Sequence, residues 1–223
     1  MKNILIIAIT SSFVLSNVFT QSFMTNSLDR AELKIRSTGR INFAMQEVSR
    51  AYDVRICTEA QGNYKTTKWP RDEFVFTNTT FEHVFRTIMQ ATTNLTWRYE
   101  NTSDTIYIHP TTNALMMMRC GPISVTNTPA YNVIFEDDML GLRTNGVIAI
   151  EYLSDLGYMN EEVSFEFEDA YVWEILDVID SQMSDGKSWD IFESHRDGYR
   201  YAFTFYTEFQ HYLKTNIFDN VKQ

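Results

Sequence analysis

The sequence predicts an α+β protein made of two small α/β sandwich modules, each with two helices packed on short mixed sheets. Three observations lead to this prediction. Two segments have apolar residues at i, i+3, i+4 and i+7, the spacing of one helix face. Alternating aromatic and β-branched runs, bounded by turn residues, flank both segments. The same order of patterns occurs twice. With 223 residues, 44% of them apolar and 14% aromatic, the chain can bury a core, and disorder is not expected.

The first unit opens with a short strand and a helix. The strand is predicted at residues 33–35. Apolar residues at helical spacing predict the helix: Ile41, Ala44, Met45, Val48 and Tyr52. An apolar run at residues 54–57 follows, and a polar loop then leads to about Glu73.

The rest of the first unit is predicted as a strand, a helix and a hairpin. Residues 74–76 form an aromatic, strand-like run, and Thr79 with Glu82 matches the S/T-x-x-E capping pattern. Alternation at residues 95–99 and 105–108 predicts two strands joined by a turn. The helix face between them is Phe81, Val84, Phe85 and Ile88.

The second unit repeats this order. A strand is expected near residues 133–135 and a helix through Ala149, Tyr152, Leu153 and Leu156, ending at Gly157. Residues 163–167 alternate as a strand, and Asp169 can cap the next helix. That helix face is Val172, Ile175, Leu176 and Ile179. Strands at 189–192 and 199–205 complete the unit, which aligns Trp189 with Trp97.

The two units set the predicted organisation of the chain. One positive charge, Lys2, precedes about a dozen apolar residues, which is typical of a secretory signal peptide cleaved near Thr20. We expect a periplasmic or secreted protein with no membrane span in the mature chain. The predicted segments are a signal peptide at 1–20, a first module at 30–110, a linker at 111–130, a second, acidic module at 131–209 and a tail at 210–223.

The charge is unevenly distributed. Residues 21–110 carry 11 Lys+Arg and 10 Asp+Glu, whereas residues 111–223 carry 7 and 19. A chain with this excess of acidic residues does not have the basic surface that is typical of a nucleic-acid-binding protein. The second module is instead expected to meet cations or a basic surface on a protein partner, through contacts that weaken as salt rises.

The sequence predicts no catalytic residues, no cofactor and no metal site. The four histidines show no metal-binding spacing and are expected at the surface: His83, His109, His195 and His211. Glu166 and Glu168 could form a glycosidase pair, but their alternation with phenylalanines favours a solvent-facing side of a strand. Cys57 and Cys120 could form a disulfide in an oxidising compartment or remain buried thiols.

The first unit resembles the short N-terminal domain shared by secretins and TonB-dependent receptors. Four stretches carry the resemblance: INFAMQEVSRAYDVRI at 41–56, FTNTTFEHVF at 76–85, LTWRY at 95–99 and TIYIHP at 105–110. It covers residues 30–110 and extends over 131–206 as a degenerate second copy. The sequence predicts no outer-membrane β-barrel region after the module, and we therefore expect neither a whole secretin nor a whole receptor.

The resemblance implies a small periplasmic module that binds a protein partner in the cell envelope and carries out no enzyme chemistry. Two alternatives stay open at the level of sequence. One is a secreted hydrolase or carbohydrate-binding domain with an unrecognised site, and the other is a structural or ligand-binding secreted domain of a different family. A deep pocket that holds several carboxylates would favour the first alternative.

Overall fold

The computed structural model describes residues 23–28, 32–36, 41–60, 73–136, 150–152, 160–184, 186–193 and 201–207. A 3-10 turn at Phe23–Thr25 precedes the first unit. The elements of that unit are β1 (Glu32–Arg36), α1 (Ile41–Tyr52), β2 (Arg55–Ala60), β3 (Glu73–Thr77), α2 (Phe81–Gln90), β4 (Leu95–Glu100) and β5 (Thr105–Pro110). This is the order that the sequence predicts.

The second unit is less regular than the first. A 3-10 turn (Leu115–Met117) leads into it. Its remaining elements are β6 (Arg119–Cys120), β7 (Ile123–Pro129), a π-helical turn (Asn132–Glu136), β8 (Ile150–Tyr152), β9 (Glu162–Phe167), β10 (Ala170–Tyr171), α3 (Val172–Gln182), β11 (Gly186–Glu193) and β12 (Tyr201–Thr207). The predicted signal peptide at 1–20, the connection between the strands predicted at 189–192 and 199–205, and the tail at 210–223 lie outside the described residues.

A six-stranded sheet joins the two units in the order β4-β5-β2-β11-β12-β8. β4 and β5 form an antiparallel hairpin, with β2 parallel to β5. β11 and β12 form the equivalent hairpin, with β8 parallel to β12. The units meet where β2 runs parallel to β11, with Thr58 opposite Asp190. The α+β class is confirmed, but the two predicted modules share this sheet instead of each having its own.

Two hydrophobic cores lie on opposite faces of the shared sheet. Ile56, Ile106 and Ile108 point to one face and pack with α1 and α2. Cys57 and Tyr107, which alternate with them along the strands, point to the other face and pack with α3. Because α3 covers strands of both units, the joint between the units lies beneath it.

The aligned tryptophans occupy equivalent positions in the two hairpins. Trp97 on β4 lies opposite Ile108 and contacts Phe85 of α2 edge-on, with ring centroids 5.3 Å apart. Trp189 on β11 lies opposite Phe205 and is buried with α3. Each tryptophan therefore packs beneath the helix of its own unit.

Residues 111–130, predicted as a linker, form part of the second core. Met116, Cys120, Ile123 and Val125 are buried there, β6 pairs with β10, and β7 pairs with β9. Glu59 of β2 is fully buried and accepts the backbone N–H groups of Leu115 (2.6 Å) and Met116 (2.7 Å). These residues therefore connect the two units through a packed structure.

Two elements predicted in the second unit are wrong. The expected strand at 133–135 is part of a π-helical turn. Val133 and Ile134 of this turn are both buried in the second core. Residues 150–152 of the expected helix instead form β8, which pairs in parallel with β12. Residues 153–157 of that helix lie outside the described residues.

Both predicted helix caps are also displaced. Thr80, rather than Thr79, begins α2, and its Oγ1 accepts the N–H of His83 at 3.4 Å. Tyr171, rather than Asp169, begins α3, and its backbone N–H donates to Glu174 at 2.6 Å. Asp169 instead forms an exposed ion pair with Arg119.

Gly121→Ala is expected to lower the free energy of unfolding by about 2–4 kcal/mol, measured by urea denaturation. Gly121 has φ +148° between β6 and β7, and an added Cβ would lie 2.6 Å from the backbone oxygen of Glu168. That backbone cannot move away easily, because β9 and β10, on either side of it, are both paired. Asp53→Gly, at a left-handed φ of 52°, is the control and should change stability by less than about 0.5 kcal/mol. An equal loss in both variants would contradict the steric argument.

Candidate functional site

A row of side chains crosses the sheet on the face that α3 covers. Arg98 of β4 lies opposite Tyr107 of β5, and Tyr107 lies opposite Cys57 of β2. Trp189 of β11 continues the row, since Asp190 is paired with Thr58. The row runs from the edge strand β4 to the middle of the second unit.

Asp177 of α3 is the central acceptor above this row. Its Oδ1 accepts a hydrogen bond from Trp189 Nε1 at 2.8 Å and one from Arg55 Nη2 at 3.1 Å. Its Oδ2 accepts the Tyr107 hydroxyl. Arg55 also pairs with Asp180 at 2.9 Å and donates from Nη1 to Thr105 at 2.7 Å. One carboxylate thus ties β2, β5 and β11 to the helix.

The neighbouring weak acids stay protonated in this environment. Burial, followed by the charge of Asp177, raises the pKa of Tyr107, which therefore remains a neutral donor. Burial also raises the pKa of Cys57 well above its ordinary value. Cys57 is therefore a neutral thiol and lacks the thiolate character of a nucleophilic cysteine.

Asp180 is the member of the network whose carboxylate is incompletely hydrogen-bonded. Its side chain is only 3% exposed, and its Oδ1 is buried without a hydrogen-bond partner. Burial raises the pKa of Asp180 to about 6, and the nearby charge of Asp177 acts in the same direction, while Arg55 opposes the shift. A proton on Asp180 would remove the cost of leaving that oxygen charged and unpaired.

The stability difference between the wild-type chain and Asp180→Asn is expected to depend on pH. Between the unfolded value of 3.8 and the folded value of about 6, the folded state keeps a proton that the unfolded state has released. The wild type should therefore lose about 2–3 kcal/mol relative to the variant as pH rises from about 4 to 7. Urea unfolding at a series of pH values measures this difference. Asp169→Asn, at an exposed aspartate, is the control, and a difference that did not change with pH would contradict the argument.

Arg98 is held between aromatic rings at the edge of the sheet. Its guanidinium carbon lies 4.1 Å from the centre of the Trp173 ring and 5.1 Å from that of Tyr107. Tyr171 stacks with Trp173 at a centroid distance of 6.5 Å, and the guanidinium carbon of Arg119 lies 4.8 Å from the centre of the Tyr171 ring. Such cation–π contacts stabilise the charge but supply no acceptor for the N–H groups at Nε and Nη2 of Arg98. We call Arg98, Trp173 and Tyr107 the arginine stack.

The acidic residues and histidines that the sequence singled out do not belong to the network around Asp177 or to the arginine stack in the described part of the chain. Glu166 and Glu168 are exposed, as is His83. His109 contacts the backbone oxygen of Pro110 at 2.8 Å. His195 and His211 lie outside the described residues. No group of three potential metal-ligating side chains occurs in the described part of the chain.

The two cysteines are buried thiols that are not joined by a disulfide, and both belong to the core beneath α3. This is one of the two outcomes that the sequence left open. In the segments that the structure describes, none of the helices combines the length and apolar character needed to cross a membrane.

Comparisons of this chain with models of protein families, with curated proteins and with solved structures find no match. The site therefore has to be interpreted from its own geometry.

Sequence reasoning missed the network and the arginine stack, although two local signals were present. Trp173, Asp177 and Asp180 follow one another at i, i+4 and i+7, which places two acids beside the apolar stripe of α3. Arg98 lies between two aromatic residues, Trp97 and Tyr99, in a predicted strand. Neither signal indicates the partner, because Arg55 is 122 residues from Asp177 along the chain.

Proposed function

We propose that this chain is an exported, non-enzymatic protein-interaction module of the cell envelope, similar to the short N-terminal domain of secretins and TonB-dependent receptors. The edge of the six-stranded sheet carries the proposal. Among the described residues β4 pairs only with β5. Its other side presents backbone N–H and C=O groups to which an extended segment of a partner can add.

Pairing and packing contacts hold β4 along one side and on both faces of the sheet. β4 pairs with β5 over six residue pairs, from Leu95–Pro110 to Glu100–Thr105. Phe85 supports Trp97 on one face, and Trp173 supports Arg98 on the other. A rigid edge loses little conformational entropy when a partner strand is added, which favours binding.

Hydrogen exchange tests the strand-addition mode. The full chain is first used to capture partners from a periplasmic extract, and the exchange of its amides is then followed by mass spectrometry in the presence of a purified partner. Amides of β4 should become protected on binding. Those of β2, which has strands on both sides, should change little and serve as the internal reference. A bound partner that left β4 unprotected would exclude this mode.

The acidic half is expected to contribute salt-dependent attraction to a basic surface on the partner. Glu166 and Glu168 are exposed on or beside β9. Replacing both with Gln should weaken binding several-fold in low salt and have little effect at about 0.5 M salt, where screening is short-ranged. Glu82→Gln, on the near-neutral first unit, is the matched control. Equal effects of the two changes would assign the acidity of the second half to solubility alone.

A further inference from the structure

We infer that the arginine stack binds an acidic side chain, Asp or Glu, on the partner segment that adds to β4. This inference rests on the proposed function and specifies the partner chemistry at the same edge. It starts from the donors of Arg98 and Trp173 that have no acceptor.

Three N–H-bearing atoms in the stack are buried without a hydrogen-bond partner: Arg98 Nε, Arg98 Nη2 and Trp173 Nε1. Trp173 is only 9% exposed. Buried donors are almost always satisfied in proteins, because an unsatisfied one carries its full desolvation cost. A ligand that supplies acceptors would remove that cost, so the stack favours an acceptor-rich group.

The two unpartnered atoms of Arg98 define the shape of that group. Nε and Nη2 lie on one edge of the planar guanidinium, where their N–H bonds run in parallel. This is the edge that binds both oxygens of a carboxylate at once. A single carbonyl or hydroxyl oxygen would satisfy one of these donors and leave the other buried.

The position of Arg98 in the sheet indicates where the carboxylate comes from. Arg98 is on β4, and its side chain lies on the sheet face covered by α3, in the row with Tyr107. A strand added beside β4 would place every second side chain on that face, with the nearest one about 5 Å from Arg98. An acidic residue at that position would extend the row by one member.

Charge permits this arrangement at the first unit in particular. The chain is acidic overall, but the excess lies in residues 111–223, whereas residues 21–110 carry 11 basic and 10 acidic side chains. An acid opposite Arg98 would therefore lie beside the near-neutral part of the chain, and the nearby Asp177 of the acidic half is already paired with Arg55, Tyr107 and Trp189.

Selection from a random peptide library tests the inference. Twelve-residue peptides, fused at their C-termini to a phage coat protein so that no terminal carboxylate is free, are selected on the full wild-type chain and on Arg98→Gln. We expect the wild type to enrich Asp or Glu at one fixed position, and the variant to lose that preference. Arg119→Gln, which removes an exposed arginine that lies over Tyr171, should keep the preference for Asp or Glu.

A selected peptide then gives the magnitude. Replacing its acidic residue with Asn or Gln should weaken binding to the wild type at least tenfold and have little effect on binding to Arg98→Lys, which keeps the charge but loses the two-donor edge. Thermal unfolding of both Arg98 variants verifies that they are folded. In nuclear magnetic resonance spectra, the Trp173 indole N–H, assigned with Trp173→Phe, should shift with the acidic peptide.

Other outcomes would overturn the inference. Selected peptides that protect the β4 amides from hydrogen exchange but show no preference for Asp or Glu would contradict carboxylate binding by the stack. The proposed function would then be unaffected. If acetate or phosphate alone shifts the indole signal as strongly as the peptide does, the stack is a small-anion site. Failure to enrich any peptide that protects β4 would count against both the inference and the proposed function.

Discussion

Asp177→Asn is expected to lower the free energy of unfolding by about 3 kcal/mol, the loss typical of breaking a buried ion pair on one side. The carboxylate accepts hydrogen bonds from Arg55, Tyr107 and Trp189. An amide keeps one acceptor oxygen and turns an N–H₂ group towards at least one of these donors. Donors from three strands would then compete for the single remaining oxygen.

Chemical denaturation of the full chain measures this effect. Asp169→Asn breaks an exposed ion pair, in which the Arg119 side chain is 57% exposed and that of Asp169 is 55% exposed. This change should lower the free energy of unfolding by less than about 1 kcal/mol. Similar losses in the two variants would show that the Asp177 network contributes no more than a surface pair.

Trp189→Ala is expected to lower the free energy of unfolding by about 4 kcal/mol, a large loss for a core substitution. Trp189 is fully buried beneath α3 and donates to Asp177 at 2.8 Å. The substitution therefore leaves a large cavity at the joint and also removes one hydrogen bond of the network.

Trp97→Ala is the matched comparison, because Trp97 occupies the equivalent position in the first hairpin but is only partly buried. We expect a smaller loss there, of about 2 kcal/mol. Trp189→Phe, which keeps most of the ring volume but has no N–H group, separates the two contributions, and denaturant midpoints measure all three variants. A larger loss for Trp97→Ala than for Trp189→Ala would contradict the role given to the joint.

The fold of the first unit could be predicted because each of its elements has a strong local signal. The apolar stripe of α2 at Phe81, Val84, Phe85 and Ile88 is fully buried, as expected. The turn at residues 101–104 joins β4 to β5 in the predicted hairpin. Periodicity and turn chemistry are properties of a few consecutive residues, so they can be recognised without knowledge of the rest of the chain.

The joint could not be predicted in this way. The parallel pairing of β2 with β11 depends on a match between segments that are distant in sequence, and periodicity carries no information about it. The same holds for the site, because Arg55 and Asp177 look like ordinary charged residues until the sheet brings them together. β8 shows a related limit: Tyr152 has helical spacing with Ala149 and Leu156 in the sequence, but residues 150–152 form a strand that pairs with β12.

The shared sheet has a consequence for the order in which the chain can fold. Thr58 and Asp190 face each other across the joint although they are 132 residues apart. During synthesis, which proceeds from the N-terminus, β2 can pair with β5 early. The other edge of β2 has no strand partner in the sheet until β11 has been synthesised. An unpaired strand edge is a site for aggregation. The second edge of β2 is therefore covered only by a strand that emerges 132 residues later.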